Sequence, residues 1–317
     1  YEGNPFHPGP QALWQMAEET GTTVFGTSAG YLAALMSSGV KPGRDFDLTK
    51  LRAVLSTGSP LSKEGFAFVY EEIKKDLQLA SIAGGTDLNG CFALGNPMAP
   101  VYAGELQCRG LAMQVEAWDE NGSPLVGEQG ELVCTAPFPS MPLYFWNDPD
   151  GRKYHDAYFD VYPGVWRHGD FIEVTPRGGV VMYGRSDATL NPGGVRIGTA
   201  DIYRQLDQMA EIEDSVVVGQ QWRDDVRVVL FVKPAAGVEF DEALKDRIRR
   251  TIRQNASPRH VPAKILPVAD IPYTLNMKKV ELAVRKVIHG QEVRNKDALK
   301  NPEALDLYAG LPELQED

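Results

Sequence analysis

Over the first 90 positions the apolar residues switch between two spacings. Leu13, Trp14, Met16 and Ala17 recur at helical intervals within 10–20, whereas Val24 and Phe25 close a short extended run over 22–25. A period near 3.6 marks one face of a helix and a period of 2 marks a strand. Ser28 is placed to cap a helix over 29–37, and Gly39 to stop it. A strand over 51–57, a helix over 62–77 with Ser62 at its N-cap and a strand over 79–83 follow. Strands alternating with helices predict a parallel, doubly wound sheet.

The pattern changes over 91–185. Extended runs at 112–118, 131–135, 170–175 and 180–184 are separated by Asp119-Glu120-Asn121-Gly122 and Pro176-Arg177-Gly178-Gly179. Such clusters are hairpin turns, so this stretch reads as a β-rich subdomain. Beyond it the mixed pattern returns: helices over 199–209, 241–255 and 278–289, and strands over 215–219, 226–232 and 263–268. Residues 291–317 read as a polar, charged tail. The expected organisation is an α/β domain over 1–186 followed by a small α+β domain over 187–317.

Composition narrows the function. The net charge of −11 disfavours sequence-independent nucleic-acid binding, which needs a positive footprint. Cys91, Cys108 and Cys134 are too far apart for a C-x-x-C pair, and the five histidines form no H-x-x-x-H or H-E-x-x-H pair. Neither a disulfide framework nor a zinc site is expected. No apolar run approaches 18 residues and no charged-then-apolar leader is visible, so a cytoplasmic protein without membrane contact is the expectation.

Several residues have the chemistry to hold a nucleotide. Asp170, in Trp166-Arg167-His168-Gly169-Asp170, could accept both hydroxyls of a ribose; by residue type alone, a turn aspartate capping its own backbone is commoner. Arg185 and Arg196 could each bind a phosphate through two parallel hydrogen bonds, or be solvated surface arginines. Thr86-Asp87 follows a predicted strand of a parallel sheet, where ligands bind at carboxyl ends. There a hydroxyl can meet an α-phosphate and a carboxylate can hold Mg²⁺ with its waters; an ordinary Gly-rich turn is the alternative. Lys278 and Lys279 begin the helix predicted over 278–289, where cations oppose the dipole, and read otherwise as its solvated start. A lysine there suits charge shifting between oxygens in a transition state.

Taken in order, WRHGD, Gly184-Arg185-Ser186-Asp187 and Gly194-Val195-Arg196-Ile197-Gly198 resemble the Y-R-T-G-D, G-R-x-D and G-x-R-I/L motifs of the adenylate-forming acyl-CoA synthetase superfamily. The resemblance runs along almost the whole chain. It implies that Gly58-Ser59-Pro60 packs its backbone on adenine and that Thr86-Asp87 stands for a Thr-Glu pair at the α-phosphate and metal. Asp170, Arg185 and Arg196 would hold ribose and phosphates. Pro272-Tyr273-Thr274-Leu275-Asn276-Met277-Lys278 resembles a P-x-T-x-x-G-K loop, which makes Lys278 the adenylating lysine and puts Met277 where the family has glycine. Asp187 takes the hinge position between large and small domains. Gly193 and Gly194, which let a backbone approach a ligand, match the pantetheine side of the CoA site, and Arg253 would meet CoA phosphates. Gly84 replaces a tryptophan that closes the pocket of acetate-specific relatives. Its loss would make room for a longer acyl group, acetoacetate or butyrate among them. The loop Gly84-Gly85-Thr86-Asp87-Leu88, the run Lys278-Lys279-Val280-Glu281 and the tail segments from Asn295 and Asn301 most resemble the acetoacetate-activating branch.

ATP, Mg²⁺, CoA and a small carboxylic acid are therefore the expected substrates and cofactors. The superfamily's upstream glycine-rich loop around the β- and γ-phosphates has no match. The chain thus reads as the C-terminal half of such a ligase, incomplete without the remainder of its N-terminal domain. The other readings are a short- or medium-chain acyl-CoA synthetase, or a module that binds nucleotide or CoA without catalysis.

Overall fold

The computed structural model describes residues 1–317 apart from 193–196, 224, 276, 294 and 295. The chain divides into two compact units, Tyr1–Met182 and Tyr183–Asp317.

The first unit opens with a three-stranded parallel sheet of Val24–Ser28, Ala53–Thr57 and Gln78–Ser81, in that order. Parallel neighbours need crossovers, and Ala29–Ser38 supplies one. The Ser28 hydroxyl accepts from the Tyr31 N–H at 3.0 Å at its start, and Gly39 ends it with φ 76°. Leu32, Leu35, Val54, Val69 and Leu79 are fully buried around the sheet, with Trp14 stacked on Phe25. The helix predicted over 62–77 is shorter than its apolar pattern. Lys63–Phe68 is α-helical, Val69–Ile73 widens into a π turn, and extended backbone resumes at Lys74.

The β-rich stretch forms two antiparallel sheets. One joins Ala83–Gly85, Gly90–Leu94 and Cys108–Arg109. The other has five strands, in the order Val180–Arg185, Trp166–Val174, Gln129–Cys134, Val115–Trp118 and Pro124–Leu125. Both predicted turns are present. Asp119 Oδ1 accepts from the N–H groups of Asn121 and Ser123, and Gly178 turns the second hairpin with φ 85°. The strand Trp166–Val174 carries a bulge. Arg167 pairs with Val133 and Phe171 with Glu131, so residues 168–170 together oppose Leu132. Gly169, with φ 82°, makes that excursion possible.

In the second unit Ile212–Trp222 and Asp225–Pro234 form a long antiparallel pair, and Lys264–Pro267 adds a parallel strand. Val216, Val218, Val229 and Phe231 face one core, and Val217, Val228, Leu230 and Val232 the other. A sheet buried on both faces needs the nearly continuous valine runs found here. Thr199–Leu206 and Glu242–Asn255 cover one face, and Glu281–Ile288 the other. The segment read as a polar tail shares that second core. Short 3₁₀ turns at Pro302–Tyr308 and Pro312–Leu314 bury Leu305, Tyr308 and Leu314. Three apolar anchors spread over a polar stretch have too low a density to stand out in the sequence.

Candidate functional site

The first group of candidates follows the parallel strand Ala53–Thr57 and, past the parallel strand Gln78–Ser81, the antiparallel strand Ala83–Gly85, where a parallel strand was expected to lead into Thr86-Asp87. Gly58, at φ 88°, turns the chain out of Ala53–Thr57 beside Ser28, and Gly58-Ser59 is exposed. The Thr57 hydroxyl donates to the Ile82 carbonyl at 3.2 Å, tying this turn to the start of the next segment. That segment, Ala83–Gly85, leads into exposed Thr86 and Asp87.

Two carboxylates from distant motifs meet one aromatic stack. The Tyr158 hydroxyl donates to Asp87 Oδ2. The Tyr158 ring lies on Trp166, with centroids 3.6 Å apart and planes 14° from parallel. The Trp166 indole N–H donates to His168 Nδ1 at 3.3 Å, and His168 Nε2 lies 3.8 Å from Asp170 Oδ2. The bulge sets His168 against Gly85, at the start of the Thr86-Asp87 turn. A side chain on Gly85 would stand 2.7 Å from His168 Cε1. Asp87 and Asp170 are 83 positions apart in sequence, and contacts through Tyr158, Trp166 and His168 connect them. Tyr158 and His168 escaped the sequence reading. A motif marks the acid; the groups that orient it arrive by folding.

Gly84 has a packing explanation in this structure. It pairs with Cys91, and a Cβ there would stand 1.9 Å from the Gly90 carbonyl oxygen. The expected opening toward an acyl chain is filled, in the direction of the missing side chain, by the backbone of the paired strand.

In the second unit Arg185 is half exposed, with its Nε 3.5 Å from Asp187 Oδ1. Asp187 sits on the short turn Ser186–Ala188, and its carbonyl accepts from Arg285 at 3.1 Å. Arg253 is exposed in the last turn of its helix, where a cation also suits the helix dipole. Gly193, Gly194 and Arg196 lie outside the described residues.

The two adjacent lysines have opposite environments. Lys279 Nζ lies 2.8 Å from Asp214 Oδ1, donates to the Ser215 carbonyl at 2.6 Å and sits 4.3 Å from the centre of the Tyr203 ring. The Lys278 side chain is exposed and makes no hydrogen bond or ion pair among the described residues. Tyr273 pairs with Lys279, and the Thr274 N–H donates to the Lys278 carbonyl at 2.9 Å, so the loop is a tight hairpin. Met277 closes it at φ 59°, a conformation that glycine adopts without strain. Behind the loop, burial pushes the Glu281 carboxyl up from its ordinary value, and its Oε1 accepts from the Tyr203 hydroxyl at 2.9 Å.

Among the described residues no group of three or more His, Cys, Asp or Glu could hold a metal ion. Asp87 offers one exposed carboxylate with one oxygen engaged by Tyr158. That fits a cation carried largely by phosphates and water, as Mg²⁺ commonly is, and does not fit a protein-caged metal. No described helix is long and apolar enough to cross a membrane.

No family model matches the chain. It is 61% identical over 315 residues to the acetoacetyl-coenzyme A synthetase of Rhizobium meliloti (strain 1021), covering 99% of this chain and 48% of that protein. It is 49% identical over 317 residues to the acetoacetyl-CoA synthetase of Gallus gallus, with 99% and 48% coverage. The solved acetoacetyl-CoA synthetase from Streptomyces lividans superposes with a TM-score of 0.92 at 47% identity, over 100% of this chain and 49% of that one. A benzoate CoA ligase from Burkholderia xenovorans LB400 shares the fold, with a TM-score of 0.71 at 23% identity over 87% of this chain and 53% of that one. The chain therefore spans about half the length of the relatives it matches.

Proposed function

We propose that this chain, a homologue of acetoacetyl-CoA synthetases with the fold of the C-terminal part of adenylate-forming enzymes, belongs to an acetoacetate–CoA ligase. The 61% identity over 99% of this chain carries the reading, and the contacts that link Asp87 through Tyr158, Trp166 and His168 to Asp170 support it. In the first step an acetoacetate oxygen attacks the α-phosphorus of ATP, and pyrophosphate leaves. In the second the CoA thiolate attacks the acyl carbon of acetoacetyl-AMP, and AMP leaves.

The residues divide the work. Asp170 accepts the ribose hydroxyls, while the Gly58-Ser59-Pro60 backbone packs against adenine. The Thr86 hydroxyl meets the α-phosphate, and Arg185 and Arg196 balance phosphate charge. Asp87 would hold Mg²⁺, which when bound neutralises phosphate charge. Lys278 acts on the oxygens between which charge shifts in the first step. Its ammonium, exposed and without a partner among the described residues, supports that role, whereas Lys279 is already committed to Asp214. The domain over 187–317 is the mobile one, pivoting at Asp187, so that Lys278 withdraws before Gly193, Gly194 and Arg253 receive CoA. Gly84 stays assigned to the acyl side only as a neighbour of Gly85-Thr86.

The test is substrate-dependent ATP–pyrophosphate exchange and thioester formation by the full-length protein. Acetoacetate should support both, well above acetate and butyrate. Preference for butyrate would make the protein a general short-chain ligase. Nucleotide binding without exchange for any acid would make it a non-catalytic module.

A further inference from the structure

The bulge that carries Asp170 also carries His168, to which the two-step reaction assigns nothing. Its ring is held on several sides. Phe92 meets it edge-on with centroids 4.7 Å apart, and Trp166 and Tyr158 lie nearly parallel to it. Gly85 leaves no Cβ against its Cε1–Nε2 edge. Packing alone could be served by any flat ring. What sets the imidazole apart is that both its nitrogens face polar groups. An indole N–H only donates. His168 Nδ1 must therefore accept from Trp166, and in the neutral ring the proton then sits on Nε2. Nε2 faces Asp170 Oδ2 at 3.8 Å, with the His168 side chain 9% and the Asp170 side chain 14% exposed. In a regular strand residues two apart stand about 6.6 Å apart along one face. The bulge at Gly169 replaces that spacing with one that faces the ring toward the carboxylate.

We propose that His168 is a positioning residue. Locked by Trp166 as the Nε2–H tautomer, it steers the Asp170 carboxylate so that its oxygens face the two ribose hydroxyls of the nucleotide. This rests on the reading of Asp170 as the ribose-binding acid. At 3.8 Å the contact is longer than a hydrogen bond and acts electrostatically, and low exposure keeps water from screening it. Gly85 belongs to the same device, because a methyl there would displace the ring.

The experiment uses the full-length protein with ATP and 2′-deoxy-ATP as alternative substrates. Wild-type activity with acetoacetate comes first; without it the functional reading itself fails. Given that activity, His168→Phe keeps the packing and removes both nitrogens. It should raise KM for ATP about tenfold, with kcat and the KM for acetoacetate nearly unchanged. Its preference for ATP over 2′-deoxy-ATP should fall by a similar factor. His168→Gln, which restores an N–H near Nε2, should recover most of the loss. Gly85→Ala, with the imidazole intact but displaced, should shift the same preference in the same direction. Thermal melting identifies any variant that fails to fold, and the other two then decide. A folded His168→Phe enzyme with wild-type ribose preference overturns the proposal. So does an equal loss for all substrates that Gln does not repair.

Discussion

At the residue scale, neighbouring side chains of one type take different work from their surroundings. Lys278 is exposed and has no partner among the described residues, while Lys279 is fixed by Asp214, the Ser215 carbonyl and the Tyr203 ring. Lys278→Ala in the full-length protein should leave thermal stability unchanged and lower ATP–pyrophosphate exchange about a hundredfold or more. Lys279→Ala should lower the melting temperature, because it strands the half-buried Asp214 carboxylate. The reverse pattern would shift the adenylating role to Lys279. Glu281 yields a pH prediction. Burial raises its pKa above the ordinary 4.5. As pH climbs from 4.5 toward the raised folded value, the unfolded chain gives up its proton first, so folding loses stability across that window. Glu281→Gln keeps an acceptor for Tyr203 and removes the titration. The variant should gain in melting temperature over wild type between pH 4 and 7, and a constant difference across that range would refute the assignment.

At the element scale, the bulge in Trp166–Val174 and the short hairpin from Ala83 to Leu94 decide what the motifs can do. Periodicity alone predicts a regular strand over 170–175, whereas pairing begins at Trp166 and is interrupted over 168–170. A bulge is a fault in register against a partner strand, and no local residue pattern encodes the partner. Hairpin turns and helix caps, by contrast, were legible. Asp119 and Gly122, Gly178, Ser28 and Ser62 act through bonds and dihedrals within a few residues. Gly84 was legible as unusual but for a different physical reason. A Cβ meets the Gly90 carbonyl in the paired strand. Gly84→Ala should therefore destabilise the first unit, seen as a lower denaturation midpoint. A stable Gly84→Ala protein with an altered acetate-to-acetoacetate ratio would favour a pocket role instead.

At the scale of the whole molecule, two units with separate cores carry the candidate residues, Asp87 and Asp170 in the first and Arg185 and Lys278 in the second. The sequence contains no match to the glycine-rich loop expected around the β- and γ-phosphates. Phosphoryl transfer depends on positioning those groups. The 317-residue chain by itself should therefore show no acetoacetate-dependent ATP–pyrophosphate exchange, while the full-length protein should. Robust exchange by the 317-residue chain would mean that another segment holds the phosphates.

The sequence by itself determined the classes of most elements and the parallel and antiparallel regions, and it singled out the candidate acids and lysines. These follow from periodicity, turn chemistry and motif order, all carried by residues close together along the chain. The tertiary structure alone decided which groups surround them. Tyr158 reaches Asp87 across 71 positions and Lys279 reaches Asp214 across 65. The buried anchors at Leu305, Tyr308 and Leu314 turn an apparently polar tail into part of a core. Such contacts form because burial and pairing are satisfied between segments distant in sequence, and a side chain's local pattern holds no record of the partner it will meet.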